Sequence, residues 1–538
     1  MKLITGLQVC GVLFLFLSAA WPVPPTMNYQ GVLKDPVTGN PKPPGRYSMV
    51  FRVWDSETSS SSGNMKWEES QSVAVDAHGL FAAELGTVNP FSVSVLNAGE
   101  AWIDVAVDGH LMPPRRRLTS APFALRAGDA DSLEGHPASD FVLKNSLRLI
   151  VSVTDFGAKG NGTTDDAPAI RNALASLTTS GGTLRFPPGR YLVGSTVAVV
   201  QNNVSLIGDN RDACVLIPSN NSVTPLRIRA NGARLSGLGF EGITGSLSAA
   251  GIEVAAGSDG LIWDCRTYRF AYGLLIHGDT SSSPTVAAER WEAARCNWSE
   301  SEVAGVFLHH CSGVRISETW IDLAATGNIY GLLMESGTAD VTAARINITG
   351  GSPVMVRDLM SPSAKPHNIS LSQVLADSSY VFGMQFESAE HVTLTDCWAA
   401  GCKTGPGIVI GNQVSDMSLA VCRIFGNWNE GIRVVSGNPN CFLKVEDCYV
   451  GSNSQVSGNQ WDGIVVEPNV SYFLFDGNGC YNGAAGQSST QPQRYGISIG
   501  AGCDNFIVSS NLCKPNTTGG INNQSGTGAT RIVTGNLQ

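Results

Sequence analysis

Apolar residues alternate with other residues in short runs that follow a glycine, and this pattern recurs along the second half of the chain. Each run reads Gly, apolar, any residue, apolar, after a turn-like segment. Successive glycines are roughly 22–33 residues apart, with one interval of about twice that length. The copies begin at Gly251, Gly273, Gly305, Gly331, Gly383, Gly407, Gly431, Gly463, Gly496 and Gly520, with a degenerate copy at Pro353. A repeat of this length predicts a solenoid.

Two-residue alternation inside each copy predicts a β-strand with one buried face. One coil is too short to bury a core alone, so the copies must stack, and the pattern predicts a parallel β-helix. Residues one and three after each glycine should be buried, whereas residues just before it, and two and four after it, should face solvent. The predicted core ladders contain Ile408, Ile410, Ile432, Val434, Ile464, Val466, Ile497 and Ile499.

Residues 21–118 follow a different pattern of short strand-like runs separated by turns, which predicts a small antiparallel β-sandwich-like module. The runs are 47–54, 71–75, 80–85 and 101–107. Residues 119–150 should form a connector and residues 151–538 the β-helix. The segments MNYQGVLKDPVTG and RLTSAPFALRAGDADSLEGHPASDFV resemble a module and connector of secreted bacterial surface proteins. The alternative for this connector is a flexible acidic linker.

The first 20 residues have the features of a secretory signal peptide: Lys2, a short apolar run at 9–17, and the small residues 18–20. We therefore expect an exported protein, secreted or at the cell surface, with no membrane span. The net charge of -10 argues against non-specific nucleic-acid binding.

A helix is predicted at Asp166–Leu177, where it would cap the open end of the solenoid. The surrounding segments DFGAKGNGTTDD and GGTLRFPPGRYLV resemble the opening coil of the pectate-lyase-like superfamily, in particular its rhamnogalacturonase/epimerase-like branch. This resemblance implies an all-β fold, a right-handed parallel β-helix that acts on or binds polysaccharide. It also implies that Asp165 and Asp166 are capping residues. The catalytic motifs of the polygalacturonase branch are not intact in this chain.

Two carboxylates, Glu430 and Asp462, precede the repeat glycine on consecutive coils. Stacking places such residues about 4.8 Å apart at the backbone. Paired carboxylates suit glycoside cleavage, with one as acid and the other as base or nucleophile. We predict them to be the catalytic pair on an exterior groove. The alternative is a turn in which both side chains are solvated or bond the local backbone.

Aromatic and basic residues flank this pair, as in sugar-binding grooves. The candidate substrate-binding residues are Trp428, Arg433, Trp461, Arg494 and Tyr495.

A second ladder occupies the position four residues after the glycine. It contains His277, His309, Glu335, Arg357 and Glu387. These residues could transfer protons, or they could form a surface salt-bridge ladder. The residues Asn427, Asn453, Asn478 and Asn511 are predicted to form an internal ladder that caps the bends, because asparagine tolerates left-handed backbone.

Several cysteines recur at one place in the repeat, which favours a buried ladder of free thiols over disulfides. The pairs Cys397 with Cys402 and Cys296 with Cys311 are the most open to bridging. No metal site is expected from Cys and His spacing, and no cofactor is expected, with calcium as the alternative if the protein is a lyase.

Two functions are consistent with these features. The first is an exported enzyme that cleaves polysaccharide by hydrolysis or β-elimination. The second is a non-catalytic surface or tail-fibre-like adhesin or spacer with a glycan-binding β-helix. The expected partner is a polysaccharide or surface glycan, and a homotrimer is one oligomeric state to test.

Overall fold

The computed structural model describes residues 26–91, 95, 100–118, 150–177, 180–243, 245, 248–278, 287–323, 327–359, 364–483 and 492–538, with two short paired strands at 132–133 and 136–137. The chain divides into two compact units, Met1–Leu147 and Arg148–Gln538. The predicted signal peptide and most of the predicted connector lie outside the described residues. Within the described part, no helix has the length and apolarity needed to cross a membrane.

The first unit contains one six-stranded antiparallel sheet, with strands in the order β1-β4-β3-β2-β5-β6. The strands are β1 Met27–Val32, β2 Gly45–Trp54, β3 Met65–Val75, β4 Leu80–Leu85, β5 Trp102–Val107 and β6 His110–Arg117, with a 3-10 turn at Ser62–Asn64. Alternate residues of β2, such as Met49, Phe51 and Val53, are fully buried on one face. The antiparallel strands are as expected, but they form a single curved sheet and not two packed sheets.

The second unit is a right-handed parallel β-helix of about 13 coils. Its strands form three sheets along the helix axis, and every strand pair in it is parallel. The first sheet carries the repeat glycines. It comprises Val197–Val199, Leu226–Arg229, Ala250–Ser258, Tyr272–His277, Ala304–His309, Tyr330–Met334, Ser352–Val356, Met384–Thr395, Ile408–Ala420, Ile432–Val434, Ile464–Val466, Tyr495–Ile499 and Gly519–Asn523.

The second sheet follows the first along each coil. It comprises Ile150–Ser152, Gly182–Phe186, Val204–Gly208, Arg234–Ser236, Leu261–Trp263, Ala288–Glu289, Glu292–Ala294, Cys311–Ser312, Arg315–Leu323, Ala339–Thr349, His367–Asp377, Leu443–Glu446, Ser471–Asp476, Asp504–Ser509 and Arg531–Thr534. The third sheet comprises Asn161–Asp165, Gly189–Val193, Cys214–Pro218, Gly239–Glu241, Arg266–Tyr268, Asn297–Ser301, Trp398–Ala400, Arg423–Phe425 and Tyr449–Gly451. Arg315–Leu323, Ala339–Thr349 and His367–Asp377 continue into it through a bend. Met384–Thr395 and Ile408–Ala420 likewise continue from the first sheet into the second.

The predicted core ladders are confirmed. Ile408 pairs with Ile432, Ile432 with Ile464, and Ile464 with Ile497, and each member is buried. The parallel ladder built from Ile410, Val434, Val466 and Ile499 is buried as well. Period-two alternation therefore gave the correct register for the inner face of the first sheet.

The repeat glycine is required because the coils approach too closely for a side chain. A Cβ on Gly431 would lie 2.5 Å from Val450 Cγ1 and 2.7 Å from the carbonyl oxygen of Gly463. A Cβ on Gly463 would lie 2.5 Å from the carbonyl oxygen of Gly496. Real Cβ contacts are longer, so the motif marks a steric limit and not only a turn.

Helix α1, Ala167–Ser176, buries Ile170 and Leu174 in the same apolar core as the first coils. It lies within the predicted range. The Asp165 carboxylate accepts the backbone N–H of Ala167 at 3.0 Å. Asp166 is buried and accepts the backbone N–H groups of Lys159 at 2.6 Å and Gly160 at 3.0 Å, so it fixes the preceding loop. Asp165 therefore caps the helix as expected, whereas Asp166 occupies the N-cap position without a side-chain cap hydrogen bond.

The four asparagines are internal as predicted, but they form two separate stacks at different corners of the coil. Asn427 and Asn453 follow strands of the third sheet, and Asn478 and Asn511 follow strands of the second. Asn427 donates to Asn453 at 2.9 Å, and Asn478 donates to Asn511 at 2.9 Å. The expected reason for asparagine was wrong, because the left-handed residue is the one before each asparagine. These left-handed residues are Gly426, Ser452, Gly477 and Ser510. The amides are instead used to pair with each other and with buried carbonyl groups.

Twelve cysteines of the second unit are buried, and none of them is in a disulfide. They include both pairs considered most open to bridging. The buried ladder of free thiols is therefore as predicted.

Candidate functional site

Glu430 and Asp462 lie on adjacent coils, each just before a strand of the first sheet. The strands Ile432–Val434 and Ile464–Val466 pair in register. The backbone N–H of Gly431 donates to the carbonyl oxygen of Asp462 at 3.3 Å, which joins the two turns directly. Both side chains line one outer cleft of about 360 Å³. The structure thus brings together the two carboxylates that the repeat register singled out.

Asp462 is held by the next coil. Its Oδ1 and Oδ2 atoms accept hydrogen bonds from Arg494 Nε at 2.9 Å and Nη2 at 2.8 Å. The backbone N–H of Tyr495 donates to Oδ1 at 3.1 Å. Only 1% of the Asp462 side chain is exposed. A bidentate pair of this kind fixes the position of the arginine as firmly as that of the carboxylate.

Glu430 is almost as buried, with 5% of its surface exposed, but it has no such partner. Its Oε2 atom has no hydrogen-bond partner within the described chain. Burial raises the pKa of the Glu430 carboxyl, Arg433 opposes the shift, and the negative charges of Asp462 and Glu467 add to it. A carboxyl group in this environment keeps its proton to higher pH than an ordinary glutamate, as a general acid must.

The expectation that both carboxylates face solvent was wrong. The position before the glycine points out of the coil, yet it is covered by side chains of neighbouring coils, such as Arg494 over Asp462. The same position holds Ala304 and Phe382, which are buried in an outer apolar cluster with Leu333 and Met355. Large outward side chains on successive coils cover one another. The sequence prediction judged exposure from the position within a single coil and did not account for this.

The flanking residues divide into two groups. Trp461 and Arg494 line the cleft, and the indole N–H of Trp461 is buried without a hydrogen-bond partner in the described structure. Trp428, Arg433 and Tyr495 are not among the residues that line the cleft.

Each of the residues outside the lining has a distinct surrounding. Trp428 is exposed. Arg433 forms an ion pair with Glu467, whose Oε1 lies 2.6 Å from Arg433 Nε. The ring of Tyr495 lies under the guanidinium of Arg494 at 5.4 Å.

The sequence analysis missed several lining residues, including four polar ones that follow the repeat glycines: Glu467, Ser498, Asn522 and Gln524. They stand two or four positions after Gly463, Gly496 and Gly520, the positions already predicted to face outward. Applying that rule to the last three coils would have found them. Ser498 is buried and its hydroxyl has no partner in the described part of the chain, so the cleft contains unused hydrogen-bonding capacity.

The histidine ladder on the preceding coils forms internal pairs. His277 Nε2 lies 3.1 Å from Glu253 Oε1, and His309 Nε2 lies 3.1 Å from His310 Nδ1. Burial, together with the nearby His310 and His277, lowers the pKa of His309 to about 4. This imidazole is therefore neutral over most of the pH range.

The rest of that ladder is also paired. Arg357 donates to Glu335 from Nε at 2.8 Å and from Nη2 at 2.7 Å. Glu387 accepts from Gln385 at 2.9 Å. The ladder is thus closer to the salt-bridge alternative than to a proton relay. No group of three or more metal-ligating side chains in the described residues is arranged to hold an ion.

Two family models match the chain. Residues 28–115 match a domain of unknown function, and residues 150–358 match the family described as rhamnogalacturonase A/epimerase, pectate lyase-like. The preneck appendage protein of Bacillus phage PZA is 23% identical over 408 residues, which cover 66% of this chain and 46% of that protein. The alpha-1,3-galactosidase A of Peterkaempfera griseoplana is 38% identical over 93 residues, 14% of this chain and 13% of that protein. The chain thus spans less than half the length of these curated relatives.

Solved structures show the same architecture. The A-module of a mannuronan C-5 epimerase from Azotobacter vinelandii superposes with a TM-score of 0.51 at 14% sequence identity. The match covers 72% of this chain and 98% of that module. At this identity the likeness shows the fold alone. With the parallel strand register, it shows that the second unit is a parallel β-helix, of which residues 150–358 match the pectate-lyase-like family model.

Proposed function

We propose that this protein cleaves a polysaccharide in the cleft at Glu430 and Asp462, by hydrolysis or β-elimination. The observation that carries the proposal is the Glu430 carboxyl. It is buried at the cleft, its Oε2 atom has no hydrogen-bond partner among the described residues, and its pKa is raised. Unpaired buried carboxyl groups are costly for stability, and perturbed ones are concentrated at functional sites.

In this proposal Glu430 is the general acid. It donates its proton to the oxygen of the leaving sugar as the bond from that oxygen to carbon breaks. In hydrolysis a water molecule adds to the anomeric carbon and passes its proton to the Glu430 carboxylate, so the product has a new reducing end. In elimination a water molecule takes the proton from the sugar carbon next to the carboxylate, and the product contains a double bond.

Asp462 takes a narrower role than base or nucleophile, because both its oxygens are bound by Arg494. Its negative charge helps to keep Glu430 protonated, and it positions Arg494 toward a bound sugar. Trp461, Ser498 and Gln524 supply an aromatic face and hydrogen-bonding groups in the same cleft. Trp428, Arg433 and Tyr495 remain candidates for contacts with sugars beyond the cleft. Calcium is part of the proposal only for elimination.

The proposed location is outside the cell, secreted or at a surface. The signal-like residues 1–20 support it. The similarity to a phage appendage protein, a structure exposed on a virion, is consistent with it. The proposed partner is a polysaccharide or surface glycan, and a homotrimer is the assembly to test.

A non-catalytic adhesin or spacer is the second candidate. It is favoured by the appendage relatives, whose match extends over 66% of this chain. The ion-paired state of Asp462 also favours it, since it leaves one free carboxyl group where glycosidases commonly use two.

The test is product formation from a panel of neutral and acidic polysaccharides, followed by reducing-end release and by the absorbance of unsaturated products. We expect one polymer to be cleaved, and Glu430→Gln to lower turnover about a hundredfold or more. Glu300→Gln changes an exposed, ion-paired carboxylate on the third sheet that lines neither the cleft nor its surroundings; it is the matched control and should keep full turnover. Equal turnover of wild type and Glu430→Gln would move the site elsewhere. Binding without any product would support the adhesin.

A further inference from the structure

A row of outward residues on the third sheet contains two exposed tryptophans. Register pairs stack Asn297, Trp320, Asn347, Leu375 and Trp398 on successive coils. Trp320 is 49% exposed and Trp398 is 37% exposed. Three strand steps separate them, about 14 Å along the helix axis. The two exposed indoles therefore provide two stacking surfaces, which we call platforms, on the same face of the β-helix.

These residues form one side of a groove of about 780 Å³. We call it the tryptophan groove. Its other side is a column of turn residues between the second and third sheets. The column comprises Asp264, Arg295, Glu318, Arg345, Gln373 and Asp396, each with a left-handed φ of 50–56°. The groove and the Glu430 cleft belong to different sheets and share no lining residue.

The charged groups of the groove are paired with each other. Glu318 accepts from Arg295 at 2.9 Å and from Arg345 at 2.8 Å. Arg211 lies 3.2 Å from Asp264. The remaining lining carboxylate, Asp396, accepts from Gln373 at 3.1 Å. Three guanidinium groups thus face three carboxylates, and the groove offers no excess charge to an ionic ligand.

The neutral groups between the platforms are available. The side chain of Asn347 lies midway along the row and has no hydrogen-bond partner in the described residues. Trp398 is held in place by the edge of Phe425 at 5.6 Å and by the guanidinium of Arg423 at 5.8 Å. A fixed, exposed indole is a preformed surface that loses little conformational entropy on binding.

We propose that the tryptophan groove binds a neutral glycan chain, independently of cleavage. Sugar rings place their apolar faces on Trp320 and Trp398, and a hydroxyl between them bonds to Asn347. Charge balance selects uncharged sugars over uronates or sulfated chains. A site of this kind would hold a polymer on the β-helix whether or not the cleft is catalytic.

The test is affinity electrophoresis of the full chain through gels that contain a neutral glucan, galactan or mannan, or an acidic polymer. We expect one neutral polymer to retard the wild type. Trp320→Ala and Trp398→Ala should each weaken binding about tenfold, the loss expected for one stacking platform. Phe442→Ala removes another exposed aromatic ring, outside the groove, and should leave binding unchanged. Thermal melts confirm that all variants are folded.

Three outcomes would overturn the proposal. These are no retardation by any neutral polymer, equal binding by wild type and both tryptophan variants, or tryptophan-dependent binding of acidic polymers alone. Because binding is measured without turnover, an inactive cleft does not affect the result. Conversely, if the tryptophan variants cleave a polymer and bind it as tightly as the wild type does, glycan binding in the groove is rejected. Cleavage in the Glu430 cleft is then still supported.

Discussion

The Glu430 cleft and the tryptophan groove are built from the same residue types but expose them in opposite ways. In the cleft the carboxylates are buried, with Asp462 1% exposed, and the Trp461 indole N–H is covered. In the groove Glu318 is 38% exposed between two arginines, and the indoles are open to solvent. Burial perturbs ionisation, whereas exposed pairs are screened. The first arrangement suits proton transfer, and the second suits binding.

The difference has a structural cause. In the groove all the charged residues except Arg211 share one turn column, so successive coils present them side by side at the surface. In the cleft the arginine comes from the turn before the next strand and lies over Asp462. Its guanidinium excludes water from the carboxylate, which the open turn column cannot do.

The largest expected difference is in stability. Asp462→Asn removes a buried charge from Arg494, and we expect it to lower the free energy of unfolding by on the order of 2 kcal/mol. Glu318→Gln makes the same carboxylate-to-amide change between two arginines at the surface, and should leave stability nearly unchanged. Urea titration of both variants and of the wild type measures the two changes in the free energy of unfolding.

Equal losses in the two variants would show that burial does not distinguish the cleft from the groove. A stable Asp462→Asn variant would show that the ion pair with Arg494 is not formed in solution.

A smaller effect is expected from pH. The pKa of Glu430 is raised in the folded state, so its stabilising contribution is fully present below the ordinary glutamate pKa of 4.5. That contribution is lost as pH rises through the raised, folded-state pKa. The stability of wild type relative to Glu430→Gln should therefore fall as pH increases above 4.5. Thermal melts of the wild type and of Glu430→Gln at several pH values above 4.5 measure this difference in stability.

A flat difference between the two proteins would mean that Glu430 titrates like an exposed glutamate. A difference of the opposite sign would place a stabilising cation beside it.

The fold could be predicted because the repeat glycine is fixed by steric contact and the inner face by burial. Gly431 and Gly463 leave no room for a Cβ, and Ile432 and Ile464 follow at buried positions. Both features recur in most coils, so a single sequence contains many copies of the same evidence. The adjacency of Glu430 and Asp462 follows from the same register.

Exposure on the outer face could not be predicted in this way. It depends on how far a long side chain such as Arg494 extends over its neighbour, which the register does not specify. The tryptophan groove was missed for another reason. No glycine marks the third sheet, so the stacking of Trp320 and Trp398 becomes visible only when strand pairing is known. The sequence therefore predicts which residues are neighbours on the first sheet, where the repeat glycine lies. It does not predict them on the other two sheets.

A measurement of the protonation state of Glu430 is the most direct test of the difference between the Glu430 cleft and the tryptophan groove. Infrared spectra of the wild type and of Glu430→Gln are recorded over a range of pH values. At each pH, the spectrum of the variant is subtracted from that of the wild type, which leaves the carbonyl band of the Glu430 carboxylic acid. We predict that the band of the protonated acid persists at pH values above 4.5, the ordinary value for glutamate. Loss of the band at or below that pH would contradict a buried general acid in the cleft.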